Sequence, residues 1–269
     1  MIANILAIAG SDPSGGAGIQ ADIKAISANG AYAMAAITAL TVQNTRGVSA
    51  VSLVAPELVA AQVAALRADI RIDAVKIGML GDGAIITAVA QALHGLTAPI
   101  VLDPVMVAKS GDRLLVADAV AALRDVLLPR VAVLTPNLPE AADLLGMAQA
   151  RNTAEMATQA RALLELGPGA ILLKGGHLAG ADSPDLLATR QGLTPLPGPR
   201  HATGDTHGTG CTLSAALAAL LGRGVPLAQA AVSAKAYVAA AIAASGELSV
   251  GGGQGPTHHF HGLWRVIPG

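Results

Sequence analysis

Aromatic residues are almost absent from this chain. One Trp, two Tyr and one Phe make up 1% of 269 residues, which leaves no platform on which bases could stack. Cysteine is rarer still: a single Cys excludes a disulfide framework and any multi-Cys zinc site. Charged residues reach only 13%, and 17 basic against 18 acidic residues give a net charge of −1. Nothing in that balance draws a nucleic acid or an anionic membrane from a distance. No uncharged apolar run approaches the roughly 18 residues of a membrane span. The N-terminal stretch is apolar but has no basic n-region, and Asp12 soon interrupts it. It reads as a first strand rather than a signal peptide, so the cytoplasm is the expected compartment.

Apolar residues, by contrast, are abundant at 52%, too many for a disordered chain. The core must be built from Ala, Leu, Val and Ile. Short β-branched or Leu-rich runs alternate with Ala-rich stretches. Strands are expected at residues 2–9, 32–40, 48–54, 74–77, 100–103, 131–135 and 170–174. Helices are expected at 19–29, 56–68, 83–94, 116–127, 138–145, 153–166, 212–221 and 227–244. Residues 186–190 and 193–196 flank Gln191-Gly192, which suits a hairpin turn. Residues 251–255 read as flexible by composition. Continuous apolar runs bounded by turns indicate strands buried on both faces. The alternation predicts an α/β fold, with a mostly parallel central sheet and helices on both faces. No composition shift marks a second domain, so residues 1–269 read as one.

In such sheets ligands bind beyond the carboxyl ends of the strands. The polar and glycine residues following the strands gather there: residues 10–18, Gln43-Asn44, Gly78-Met79, Asp103-Pro104, Pro136-Asn137 and Lys174-Gly175-Gly176. Residues 16–21 fit G-x-G-x-x-G/A, but no Asp or Glu lies between Ile23 and Pro56, so the ribose acid of a dinucleotide site is missing. No Gly-Lys-Ser/Thr of a Walker A loop occurs. The strongest single feature is His207-Gly208-Thr209-Gly210-Cys211 at the start of a helix. Glycines let backbone N–H groups converge, and a helix N-terminus stabilises an anion. A Cys placed there is expected to have a lowered pKa and to accept a proton from an attacking alcohol. It reads equally as a small buried filler.

These blocks resemble a known family. Residues 9–22, Gln43-Asn44-Thr45-Arg46-Gly47, Lys76-Ile77-Gly78-Met79-Leu80, Thr135-Pro136-Asn137-Leu138-Pro139-Glu140, Lys174-Gly175-Gly176-His177 and His207-Gly208-Thr209-Gly210-Cys211-Thr212 look like the hydroxymethylpyrimidine/phosphomethylpyrimidine kinases of thiamine biosynthesis. The tail His258-His259-Phe260-His261 resembles them too. The resemblance implies a ribokinase-like fold, ATP with Mg²⁺, a homodimer, and two successive phosphorylations of 4-amino-5-hydroxymethyl-2-methylpyrimidine. It makes Cys211 the base where the wider superfamily usually has Asp, within the anion loop of Gly208, Thr209 and Gly210. Gln43 and Asp22 become readers of the pyrimidine edge, with Gly10, Met79 and Val105 around the ring. Asn137 and Glu140 match a pattern that helps organise Mg²⁺, Asp103 supports the same metal, and Lys174 neutralises phosphate oxygens. The histidine tail is expected to pack rather than bind metal. Asp205 is expected to point to solvent, since facing the anion loop it would oppose phosphate. Two rivals remain: a pyridoxal or pyridoxine kinase of the same superfamily, against which Gln43 and its block argue, and a non-catalytic ligand sensor on a kinase scaffold.

Overall fold

The computed structural model describes residues 1–106 and 117–264. The parallel strands are β1 (Asn4–Ala9), β2 (Tyr32–Ile37), β5 (Ala74–Ile77), β6 (Ile100–Leu102), β7 (Val133–Leu134) and β8 (Ala170–Leu173). A two-stranded ribbon, β3 (Ala39–Asn44) and β4 (Gly47–Leu53), stands apart, and β9 (Asp185–Thr189) and β10 (Gly192–Leu196) complete the set. The main sheet has the order β10-β9-β8-β7-β6-β5-β1-β2. Pairing is parallel from β2 to β8 and antiparallel at β9 and β10.

Among the described residues eight α-helices cover the sheet: α1 (Gly18–Ala28), α2 (Pro56–Asp69), α3 (Gly83–Ala92), α4 (Ala117–Ala122), α5 (Leu138–Leu145), α6 (Thr153–Leu164), α7 (Thr209–Gly222) and α8 (Leu227–Ala243). Strand side chains alternate between two cores. Leu6, Ile8, Val75, Ile77, Ile100 and Leu102 face α2, α3, α5 and α6. Ile5, Ala7, Ala74 and Val101 face α1, α7 and α8. The second core is largely alanine, so these helices approach the sheet closely. The expected α/β architecture is therefore present, with helices on both faces.

Some boundaries differ for physical reasons. The extended run expected at 32–40 breaks at Thr38. Its N–H bonds Ala9 O at 3.1 Å and its hydroxyl bonds Met79 O at 2.7 Å, so the chain leaves the sheet and begins the separate ribbon. The β9–β10 turn is Arg190-Gln191 rather than Gln191-Gly192, because Gly192 already pairs with Thr189. The helix expected at 116–127 is α-helical only to Ala122, then widens into a π turn over Leu123–Leu127 and a 3₁₀ turn over Leu128–Arg130. That widening lets Leu123, Leu127 and Leu128 all reach the core. Val116 lies outside the described residues. Helix α7 starts at Thr209, three residues earlier than expected. Gly208 adopts φ 74° as its N-cap and its carbonyl accepts the Thr212 N–H.

Residues 251–255 are tied down rather than loose. Gly253 N and Gln254 N bond Thr45 at the ribbon tip, and Gly255 N donates to Asp205 Oδ1 at 3.1 Å. Asp205 therefore does not point to solvent: an unmet backbone N–H holds it to this strap. The histidine tail packs as expected. His258 and His259 are buried, His259 Nε2 lies 3.0 Å from Thr212 Oγ1, and Tyr237 donates to His259 O. Burial depresses the His259 imidazole to about 4, so it stays neutral there.

Candidate active site

Because the six strands run parallel, the segments leaving β1, β5, β6, β7 and β8 emerge at one edge. Three groups of side chains assemble there.

The first surrounds the loop after β1. Asp12 accepts hydrogen bonds from Ser14 N, Ser14 Oγ and Ala17 N, and pairs with His207 Nε2 at 2.7 Å. Burial pushes the Asp12 carboxyl up, but the bonds from His207 and Ser14 win and hold it at about 2. Gln43, on β3, brings its amide within 3.5 Å of the same His207 nitrogen. Gly10 lies against Met79: a Cβ there would come within 2.8 Å of the Met79 sulfur. A depressed carboxyl contributes stability above its unfolded pKa, near 4, and loses it as pH falls toward 2. Asp12→Asn is therefore expected to lower stability at pH 6 by about 2 kcal/mol. The gap to wild type should shrink between pH 4 and pH 2 in denaturant melts. An unchanged gap would show that the pair contributes nothing.

The second group follows β6, β7 and β8. Lys174 Nζ lies 2.7 Å from Asp103 Oδ1 and 3.8 Å from Glu140 Oε2. Asn137 caps α5 and forms a reciprocal capping box with Glu140: Asn137 N donates to Glu140 Oε2, and Glu140 N to Asn137 Oδ1. Burial raises the Glu140 carboxyl to about 7, against the pull of Lys174. Burial also works against the Lys174 ammonium, but Asp103 and Glu140 prevail and lift it above its ordinary value. Val105 sits half-buried just past Asp103, its N–H bonded to Asp103 O.

The third group lies at the start of α7. A Cβ on Gly208 would fall 1.7 Å from Gly16 O, so the two glycine loops touch backbone to backbone. A Cβ on Gly210 would stand 3.2 Å from both Asp103 Oδ2 and Lys174 Nζ, which places the anion loop over the second group. Thr209 Oγ1 donates to Thr206 O. Cys211 lies in the first turn of α7. The Gly18 N–H at the start of α1 favours the charged form of its sulfur. The expected lowering of its pKa is nonetheless overturned. Burial pushes the thiol up to about 11, Asp22 and Asp103 push the same way, and Lys76 with the Gly18 N–H only partly offsets them. Dipoles and one cation do not outweigh loss of water here.

Asp22 is fully enclosed rather than displayed. Both its oxygens lie 2.7 Å from Lys76 Nζ, and neither side chain has any exposed surface. Only Oδ2 has hydrogen-bond geometry, which leaves Oδ1 without a donor. Burial raises this carboxyl to about 6 despite Lys76. Sequence reasoning gave no role to Lys76, or to the Asp12–His207 pair. The apolar neighbours of Lys76 on a strand hint at burial, but its partner comes from another element. A cavity of about 560 Å³, lined by Leu96, Pro99, Pro129 and Gly167 among others, opens where strands begin, away from all three groups.

Comparison with known proteins places this arrangement. The phosphomethylpyrimidine kinase family profile matches residues 12–258. The hydroxymethylpyrimidine/phosphomethylpyrimidine kinase of Escherichia coli (strain K12) is 54% identical over 262 residues, covering 97% of this chain and 98% of that protein. A structure of the pyridoxal kinase from Staphylococcus aureus in complex with AMP-PCP superposes with a TM-score of 0.89 at 33% identity, covering 98% of this chain and 95% of the other. A phosphomethylpyrimidine kinase from Clostridium difficile 630 gives 0.78 at 39% identity, covering 88% and 97%. The chain therefore belongs to the phosphomethylpyrimidine kinase family, phosphotransferases on a ribokinase-like fold.

Proposed function

We propose that the chain transfers the γ-phosphoryl group of ATP to the hydroxymethyl oxygen of 4-amino-5-hydroxymethyl-2-methylpyrimidine, and then phosphorylates that monophosphate. One observation carries this reading: the glycine-lined start of α7, bearing Cys211, sits directly over Lys174 and Asp103. Cys211 takes the alcohol proton, the oxygen bonds to the γ-phosphorus, and the bond to the β-phosphate oxygen breaks with its electron pair leaving on ADP. The N–H groups at the start of α7 and the Lys174 ammonium meet the charge on the transferring oxygens. Thr209 and Asn137 border the phosphates.

Among the described residues no group of three or more His, Cys, Asp or Glu is arranged for a metal. Mg²⁺ does not require one, since it takes one or two carboxylates together with phosphates and water. Asp103 and Glu140 fit that donor set, and the buried, under-compensated Glu140 carboxyl favours a cation nearby. When bound there, Mg²⁺ would neutralise developing phosphate charge. Glu140→Gln is expected to raise the Mg²⁺ concentration for half-maximal rate by about tenfold; an unchanged Mg²⁺ titration would remove Glu140 from this role.

The pyrimidine would meet Gln43, whose amide both donates and accepts, with Gly10, Met79 and Val105 around the ring, whereas Asp22, wholly buried against Lys76, presents no exposed oxygen to it. The pyridoxal kinase alternative is kept alive by the structural likeness to that enzyme, while Gln43 favours the pyrimidine. Product analysis with ATP and Mg²⁺ decides between them. Monophosphate followed by diphosphate is expected from hydroxymethylpyrimidine, with faster turnover than on pyridoxal. Faster turnover of pyridoxal would reverse the assignment. A cytoplasmic homodimer acting as a single kinase unit belongs to the same proposal, and light scattering of the purified protein reads its mass.

A further inference from the structure

His207 stands between the glycine loop after β1 and the β3–β4 ribbon, and the phosphoryl transfer just described does not use it. Its Nε2 lies 2.7 Å from Asp12 Oδ2 and 3.5 Å from the Gln43 amide nitrogen. At the other end of that amide, the Gln43 oxygen lies 3.2 Å from Thr41 Oγ1. Gly16 makes room for the imidazole, since a Cβ there would strike His207 Cδ2.

Counting protons decides what these four side chains can do. Asp12 also accepts from Ser14 N, Ser14 Oγ and Ala17 N, and those bonds keep it ionised. A carboxylate only accepts, so His207 Nε2 must carry the hydrogen of the 2.7 Å contact. That nitrogen then has no lone pair for Gln43, and two N–H groups would face each other. The second contact carries a conflict of its own. Thr41 has one hydroxyl hydrogen, which goes to Ser11 O at 2.8 Å, so none is left for the Gln43 oxygen. A half-turn of the amide removes both conflicts, because it exchanges oxygen and nitrogen without moving either site. The oxygen then accepts from His207 Nε2, and the nitrogen donates to Thr41 Oγ1.

We infer that His207, anchored by Asp12, is a positioning residue that sets substrate specificity: with Thr41 it holds the Gln43 amide oxygen toward the imidazole and the amide nitrogen toward the hydroxyl, so that Gln43 accepts an exocyclic amine beside a ring nitrogen. This rests on the proposed pyrimidine substrate, with Gln43 as its reader. The held amide keeps one oxygen lone pair and one N–H for a ligand. The oxygen accepts from the 4-amino group, and the N–H donates to the neighbouring ring nitrogen. A 4-oxo analogue presents a carbonyl beside a ring N–H. In the same pose it sets acceptor against acceptor and donor against donor.

The test compares kcat/KM on the 4-amino substrate with kcat/KM on its 4-oxo analogue. The wild type is expected to favour the amine by about a hundredfold. His207→Leu removes the donor and frees the amide to turn, and should lower that ratio by about tenfold. His207→Gln brings a side-chain nitrogen to the place of Nε2 and should keep the ratio near wild type. Both substrates share one phosphoryl-transfer site, so damage to the start of α7 cancels in the ratio. An unchanged ratio in a His207→Leu protein with wild-type circular dichroism overturns the inference. Neutron diffraction from the deuterated wild-type protein reads the orientation directly. Deuterons are expected on the Gln43 terminal atom facing Thr41 and on His207 Nε2; Gln43 deuterons facing His207 overturn the inference. A wild type that phosphorylates neither pyrimidine, or prefers pyridoxal, counts against the proposed function, and the deuteron positions still judge the held amide.

Discussion

Gly208→Ala is expected to cost at least about a hundredfold in kcat/KM and to lower the melting temperature. Two independent faults combine. The residue stands at φ 74°, where an L side chain costs about 1–2 kcal/mol. Its new methyl would also lie 1.7 Å from Gly16 O, a backbone atom that cannot rotate away. The loop must move, carrying the N–H groups of α7 with it, and displacement of phosphoryl-binding donors by about 1 Å is costly to transfer. Gly204→Ala is the matched control: it lies in the same segment, has no positive φ and meets nothing within 4 Å of a built Cβ. Steady-state kinetics should leave Gly204→Ala at the wild-type rate. Near-normal kcat/KM for Gly208→Ala would mean that the backbone contact with Gly16 does not fix the loop.

Cys211→Ala is the second large effect. Loss of a general base costs roughly 10²–10⁴-fold, and kcat is expected to fall by at least tenfold while KM moves little. The pH dependence follows from the thiol at about 11. The thiolate is then a minor form at pH 7, and its fraction grows about tenfold per pH unit up to the pKa. Wild-type kcat/KM should therefore climb between pH 7 and pH 9.5, whereas Cys211→Ala should be flat across that window. Parallel profiles for the two proteins would exclude the sulfur as the proton acceptor.

Much of the scaffold was legible in the chain because its signals are local. Apolar runs ending in Gly10, Gly78, Asp103, Pro136 and Lys174 mark strand ends, and parallel pairing brings those ends to one edge. The capping box of Asn137 and Glu140 spans four consecutive residues and is visible in the motif itself. What could not be read needed partners from distant elements. Asp12 meets His207 across 195 positions, and Lys76 meets Asp22 across 54. The glycines of the anion loop were visible, but not that Gly208 rests on Gly16. The direction of the Cys211 shift was misjudged for the same reason. A helix N-terminus is a local feature, whereas the desolvation that outweighs it arises only when α1, α7 and the sheet close around the sulfur. The glycine strap was misread because composition describes freedom in isolation, and Thr45 and Asp205 remove it.

The scarcity of rings has a spectroscopic consequence. Trp264 is the single indole, stacked on Phe260 at 4.9 Å between centroids and 5.4 Å from His258. Tyr237 lies 5.3 Å from His261 in the same tail. Three of the four aromatic residues thus gather at the C-terminal segment, leaving the sheet itself nearly dark. Fluorescence with tryptophan excitation reports how this segment detaches, while far-ultraviolet circular dichroism reports the alanine-rich helices. Whether the two signals melt at one temperature or two tells directly whether the tail and the core come apart as a single cooperative unit.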